Sequence, residues 1–185
     1  MDNATVLSSD FGIGHLWECG AGFSFEENDF SKYFDGPVSN YFGIIINNSE
    51  AVNEVYKNNF SGLSYANYAD RKNWGGTDYE GPTYYCNENE KNYADFYVVD
   101  KLLNHSPHSG IVSFQGDDNH VAGNTSTQNE ARWHFYNGGE HLVAYYYNQN
   151  NSIEIPELSK THHVARVPKN LTYTCPSHYG GSADL

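Results

Sequence analysis

Turn-forming residues recur so often in this chain that no long regular element fits between them. Gly20-Ala21-Gly22, Asp35-Gly36-Pro37, Trp74-Gly75-Gly76, Glu80-Gly81-Pro82, Asn137-Gly138-Gly139 and Gly180-Gly181 cut it into short pieces. Ala, Leu, Lys and Met are scarce, which removes the residues that favour helices. Aromatics make up 16% of the chain, with 16 Tyr against 10 Phe. Such residues suit pleated, half-buried surfaces. At 185 residues the chain fits one domain, 1–185, that buries roughly 70% of its unfolded surface.

The apolar pattern predicts strands at Tyr41–Ile46, Asp95–Val99, Gly110–Gln115, Arg132–Tyr136, His141–Tyr147, Val164–Val167 and Leu171–Cys175. Asn137-Gly138 has the chemistry of a two-residue type I′ turn, so residues 132–147 read as a hairpin with that dipeptide at an exposed tip. In this register His134 faces His141, with Cβ atoms roughly 5 Å apart, and Trp133, Phe135 and Leu142 are buried. A Gly138→Val change would then force a β-branched residue into positive φ. Two pieces carry helical spacing: Asp29–Gly36, with Phe30, Tyr33 and Phe34, and Ser49–Phe60, with Val52, Val55 and Tyr56. They also align at an offset of 30, Phe25 to Ser31 against Val55 to Ser61, over too short a span to define a repeat. Residues 64–93 read as a long polar surface excursion. The expected architecture is mostly β: a single-domain antiparallel sandwich or barrel with one or two short helices and long Tyr/Asn-rich loops.

Seven Asn-x-Ser/Thr triplets start at Asn3, Asn47, Asn59, Asn104, Asn124, Asn150 and Asn170. They imply a secreted, surface-rich glycoprotein, or else arise by accident in an Asn-rich chain. The N-terminus has no basic end or apolar core, so secretion requires a signal peptide already removed. Cys19, Cys86 and Cys175 allow one bridge among three pairings. The net charge of −13 disfavours nucleic acid and anionic membrane surfaces, and no apolar run is long enough for insertion. Eight of the 9 histidines follow residue 100. Acidification through their usual pKa near 6.5 would make this half cationic and change self-association or ligand binding.

No motif names a reaction. The excess of Tyr, Trp, Asn and Asp points to a non-enzymatic, secreted or cell-surface binding module for a glycan or a partner protein. Trp74, Tyr79, Tyr84, Tyr85, Tyr136 and Tyr145 are its candidate contacts. The alternative is a small secreted hydrolase or toxin using Glu130, His134 and His141. Asp117, Asp118 and His120 form an acidic knot with hard oxygen donors, a candidate for calcium or else a solvated turn. His105-Ser-Pro-His108 and His162-His163 are further histidine clusters. No cofactor is expected.

Overall fold

The computed structural model describes residues 13–18, 22–32, 41–100, 107–127 and 130–178. The chain coils in successive turns. The first holds β1 (Ile13–Glu18), β2 (Ser24–Glu26) and β3 (Asp29–Ser31). The second holds β4 (Phe42–Asn47), β5 (Val52–Tyr56) and β6 (Asn59–Ser61), and the third β7 (Tyr65–Asp70), β8 (Gly81–Tyr85) and β9 (Glu88–Glu90). The fourth holds β10 (Ala94–Val99), β11 (Phe114–Gln115) and β12 (Thr125–Ser126). Then come β13 (Trp133–Asn137) and β14 (Val143–Asn148), and last β15 (Thr161–His162) and β16 (Val164–Lys169). Every ladder between these strands is parallel. One face of the coil is β1-β4-β7-β10-β13-β15, the second β2-β5-β8 continued by β11-β14-β16, and the third β12-β9-β6-β3. The architecture is a three-faced parallel β-solenoid.

The fold is mostly β, but it is neither an antiparallel sandwich nor a closed barrel. Alternation of apolar and polar residues marks an inner and an outer face whichever way the neighbouring strand runs. Pairing direction is set instead by the connection, and here two further sides of each turn carry the chain back to start a parallel neighbour. Thus five expected strands coincide with β4, β10, β13, β14 and β16, while only the end of 110–115 pairs, as β11, and 171–175 is not a strand.

The offset of 30 is the solenoid turn itself. Phe25 pairs with Val55, and Phe30 with Phe60, whose rings stack 5.0 Å apart. The described residues contain no α-helix. Asp29–Ser31 is β3, and residues 49–60 contain β5 and β6. Val52, Val55 and Tyr56 all lie on the single strand β5, where Val55 faces the core while Val52 is exposed and Tyr56 faces outward, so their helical spacing marks no common face. Tyr33 and Phe34 of the first piece lie outside the described residues. Residues 64–93 are likewise no excursion: they hold β7, β8 and β9, with only 71–80 looping out.

The corner between the second and third faces explains the Asn content. Glu27, Lys57, Cys86 and Gly123 all have positive φ, at 58°, 53°, 59° and 66°, and each is followed by Asn. Asn side chains then bond from turn to turn. The backbone N–H of Asn28 donates to Asn58 Oδ1 (3.0 Å), that of Asn58 to Asn87 Oδ1 (3.1 Å), and that of Asn87 to Asn124 Oδ1 (2.8 Å). The Nδ2 groups of Asn58, Asn87 and Asn124 donate to the carbonyls of Tyr56, Val55 and Tyr84. Asn supplies donor and acceptor together, so the corner's buried backbone groups are satisfied. Inside the coil, Ile44, Val55, Phe60, Tyr84, Phe96 and Phe135 belong to the continuous core. Gly43 is required there, since a Cβ would lie 2.5 Å from the Ala66 carbonyl oxygen and 2.6 Å from the Phe60 ring. Gln115 joins the two parts of the second face: its Oε1 accepts from Tyr84 N (2.7 Å) and its Nε2 donates to Pro82 O (3.1 Å).

Residues 132–147 do not form a hairpin. β13 and β14 lie on different faces, and Asn137 is fully buried rather than at a tip. Its Nδ2 donates to the carbonyls of His141 (2.7 Å) and His163 (3.0 Å), while its Oδ1 accepts from Gly139 N (3.0 Å). Gly138 is outside the left-handed region, so the strain expected for Gly138→Val does not arise. Phe135 is buried as expected, Trp133 is half-buried, and Leu142 is 53% exposed.

Of the triplet asparagines, Asn59, Asn150 and Asn170 are exposed, Asn47 is half-buried, and Asn124 is locked in the corner ladder. Asn3, Asn104 and Cys19 lie outside the described residues. One bridge forms, Cys86–Cys175.

Candidate functional site

A repeat architecture concentrates insertions on one side, and that side is often the binding face. Here the connections leaving β4, β7, β10 and β13 differ most in length, spanning residues 48–51, 71–80, 100–113 and 138–142. Their described parts are laced together. Asn73 Oδ1 accepts from Ser49 N (2.9 Å), Lys72 pairs with Ser109, and Gly110 N donates to Arg71 O (3.3 Å). Glu140 N donates to both Ser109 O (3.3 Å) and Ser109 Oγ (3.2 Å). Gly110 and Gly139 touch so closely that a Cβ on Gly139 would sit 2.6 Å from Gly110 Cα. Loops so cross-linked form a fixed platform.

On this platform the Trp74 ring lies 3.7 Å from that of His141 and 6.0 Å from that of His108. Trp74 Nε1 donates to Thr77 O (2.8 Å), which curls the loop around the indole. His108 Nδ1 is 2.9 Å from Trp74 O, and His141 Nε2 is 3.0 Å from Pro107 O. Carbonyl oxygens only accept, so each of those ring nitrogens carries a proton. Glu50 Oε1 lies 3.9 Å from His108 Nδ1, and the Glu80 carboxylate packs beside Gly75. Tyr79 is 79% exposed at the loop's tip. Four successive turns therefore bring together an indole, two imidazoles and two carboxylates, with the exposed Tyr79 on the same loop as Trp74. This set can stack on a flat, weakly polar ring and hydrogen-bond the hydroxyls around it.

The other expected contacts are dispersed. Tyr84 and Tyr145 are core residues at 1% and 4% exposure. Burial pushes both phenols well above their usual range. Tyr85 is half-buried, its hydroxyl accepting from Gly116 N (3.1 Å). Tyr136 belongs to an outer aromatic column on the first face. Tyr97 stacks on it at 4.7 Å and His162 at 4.8 Å, with interplanar angles of 17° and 13°. Rings stacked face to face cover each other, so this column presents edges rather than open faces to a ligand.

Glu130, His134 and His141 are not brought together. Glu130 precedes β13 and His141 follows it, at opposite ends of that strand. His134 is 1% exposed, and its Nδ1 accepts from Glu157 N (3.2 Å). Burial lowers its pKa to about 4, so it takes no part in a histidine charge switch near 6.5. One strand away at the same level, Asp95 is equally buried, between the pairs Ala94–Trp133 and Phe96–Phe135. Burial raises its carboxyl to about 7, opposed by hydrogen bonds from Ser126 and Asn92 and by the Lys160 charge.

The acidic knot is a turn. Asp117 Oδ1 accepts from Asn119 N (2.6 Å) and His120 N (2.8 Å), chiefly the Asn119 bond holding its carboxyl below the usual range. Lys169 Nζ meets Asp118 Oδ1 at 2.6 Å. Among the described residues no three His, Cys, Asp or Glu side chains are grouped to hold a metal, and no helix is long and apolar enough to cross a membrane.

Glu50 and Glu80 did not stand out as site residues in the sequence, and His108 did so only within the His105-Ser-Pro-His108 cluster, whose His105 lies outside the described residues. Their signal was the variable spacing between turns, legible only once the repeat is recognised. No family model, curated protein or solved structure matches this chain.

Proposed function

We propose that this chain is an extracellular β-solenoid binding module that takes a glycan on the loop platform around Trp74. The observation that carries this reading is the convergence of Trp74 with Glu50, Glu80, His108 and His141 from four successive turns. Trp74 supplies an apolar ring surface, and the carboxylates and imidazoles fix hydroxyl groups around it. The Cys86–Cys175 bridge supports an oxidising compartment, and the exposed Asn59, Asn150 and Asn170 triplets accord with it. A glycan array probed with the wild-type chain and with Trp74→Ala tests the reading. The expected result is a restricted set of bound glycans whose binding falls about tenfold or more in the variant. An array with no specific binding, or one unchanged by Trp74→Ala, refutes it.

A further inference from the structure

The second outer surface is a groove already filled by the chain itself. In β5, Val55 points into the core, so Glu54 and Tyr56 point outward, and Glu26 of β2 pairs with Tyr56. Yet the outward Tyr56 is only 1% exposed. What covers it is the segment 171–178, which leaves β16 and runs back across the turns as a strap without joining any sheet.

The strap is held by side-chain anchors. The Tyr173 ring meets that of His120 edge-on at 5.8 Å, and Cys175 is bonded to Cys86 at the corner. Gly123 lets the bridge pass: a Cβ there would lie 3.2 Å from Cys175 Sγ and 3.3 Å from Cys86 Sγ. The Tyr56 hydroxyl donates to Pro176 O (2.6 Å). At the end, the His178 ring stacks on Tyr56 at 3.9 Å and 22°, and its backbone N–H donates to Glu26 Oε1 (2.7 Å). His178 Nδ1 lies 3.5 Å from Glu54 Oε2 and 4.0 Å from Glu26 Oε2. The Glu26 side chain is 2% exposed, and its Oε2 accepts no hydrogen bond although it is aimed at that ring.

An aromatic face flanked by two carboxylates, one of them buried and incompletely satisfied, is the chemistry that recognises a flat cation. The surrounding half of the molecule is acidic as well, with sixteen acids against five bases in residues 1–100, which favours a cationic partner. We propose that the outer face of β2, β5 and β8 is a groove for an extended peptide anchored by an imidazolium or guanidinium side chain, and that residues 171–178 occupy it in cis. The bridge fastens this internal ligand, so an external peptide gains the groove only when the strap is loosened. The assignment is independent of the glycan platform, which lies on another corner of the coil.

A labelled peptide of residues 170–178, with Ser in place of Cys175, is the probe. It should not bind the disulfide-closed chain. It should bind a Cys86→Ser/Cys175→Ser/His178→Ala variant, in which the strap is unfastened and Glu26, Glu54 and Tyr56 are intact. Replacing the peptide's His by Arg should preserve binding, whereas Ala, or Glu26→Gln in the protein, should weaken it about tenfold. Equal binding of the His and Ala peptides, or no binding by a variant that retains a cooperative melt, overturns the proposal. On the disulfide-closed chain, His178→Ala should speed amide exchange at positions 177 and 178 about tenfold relative to wild type, and His178→Arg should not. Identical exchange in all three chains overturns it equally.

Discussion

Two corners of the same coil solve the problem of turning the chain in opposite ways. The corner after β2, β5 and β8 repeats one device, a residue of positive φ followed by an Asn whose side chain bonds the next turn. The corner after β4, β7, β10 and β13 varies in length at every turn and is held by bonds between unlike loops. The first leaves little room for variation, because each Asn completes the backbone of its neighbour. The second can vary because its loops satisfy one another locally, and there the exposed aromatic, acidic and imidazole groups collect. Uniformity marks the scaffold, and irregularity marks the proposed binding platform.

The largest expected effect lies on the uniform corner. Asn87→Ala removes the acceptor of the Asn58 N–H and the donor to the Val55 carbonyl, both in the interior. The loss should be about 3 kcal/mol by denaturant unfolding. A loss below about 1 kcal/mol would mean that water replaces the ladder without penalty and that the two corners are energetically alike.

A second test concerns the interior pair beneath the corner leading into β10 and β13. Asp95 has its pKa raised to about 7, so its contribution is full below the unfolded value near 3.8 and is lost as pH rises through 7. His134 has its pKa lowered to about 4, so its contribution is full above 6.5 and is lost as pH falls through 4. Between these limits the two slopes oppose each other. Asp95→Asn should uncover the histidine slope, so that stability rises steadily from pH 4 to 6.5. It should also add on the order of 2 kcal/mol at pH 8. Urea midpoints across this range check both signs, and a variant whose profile parallels the wild type would remove the buried carboxyl as its cause.

The smallest effect belongs to the platform. Tyr79 is 79% exposed, so Tyr79→Ala should change stability by no more than about 0.5 kcal/mol. A loss as large as that of Asn87→Ala would make the irregular corner structural too and erase the contrast.

Much of this molecule is written locally. The spacing of apolar residues located β4, β10, β13, β14 and β16, because an inner and an outer face demand alternation in any sheet. Three cysteines allowed a single bridge, and one exists. Even the turn length was present, as the offset of 30 between Phe25 and Val55.

The direction of pairing was settled elsewhere. Asn137-Gly138 has hairpin chemistry, yet Asn137 is bonded by His141, His163 and Gly139, and His163 belongs to the following turn. The Ser49–Phe60 piece has helical spacing, yet its Asn58 is claimed by Asn28 and Asn87 on either side. In each case a side chain that could close a local turn also takes a partner from a neighbouring coil, twenty-six to thirty residues away. The sequence by itself determined short strands, turns and a β class, since these depend on neighbours along the chain. Only the tertiary structure decided that the strands run parallel and that Trp74, His108 and His141 meet. Those outcomes depend on the stacking of whole turns, where an Asn buried between two coils is satisfied only if both are in place.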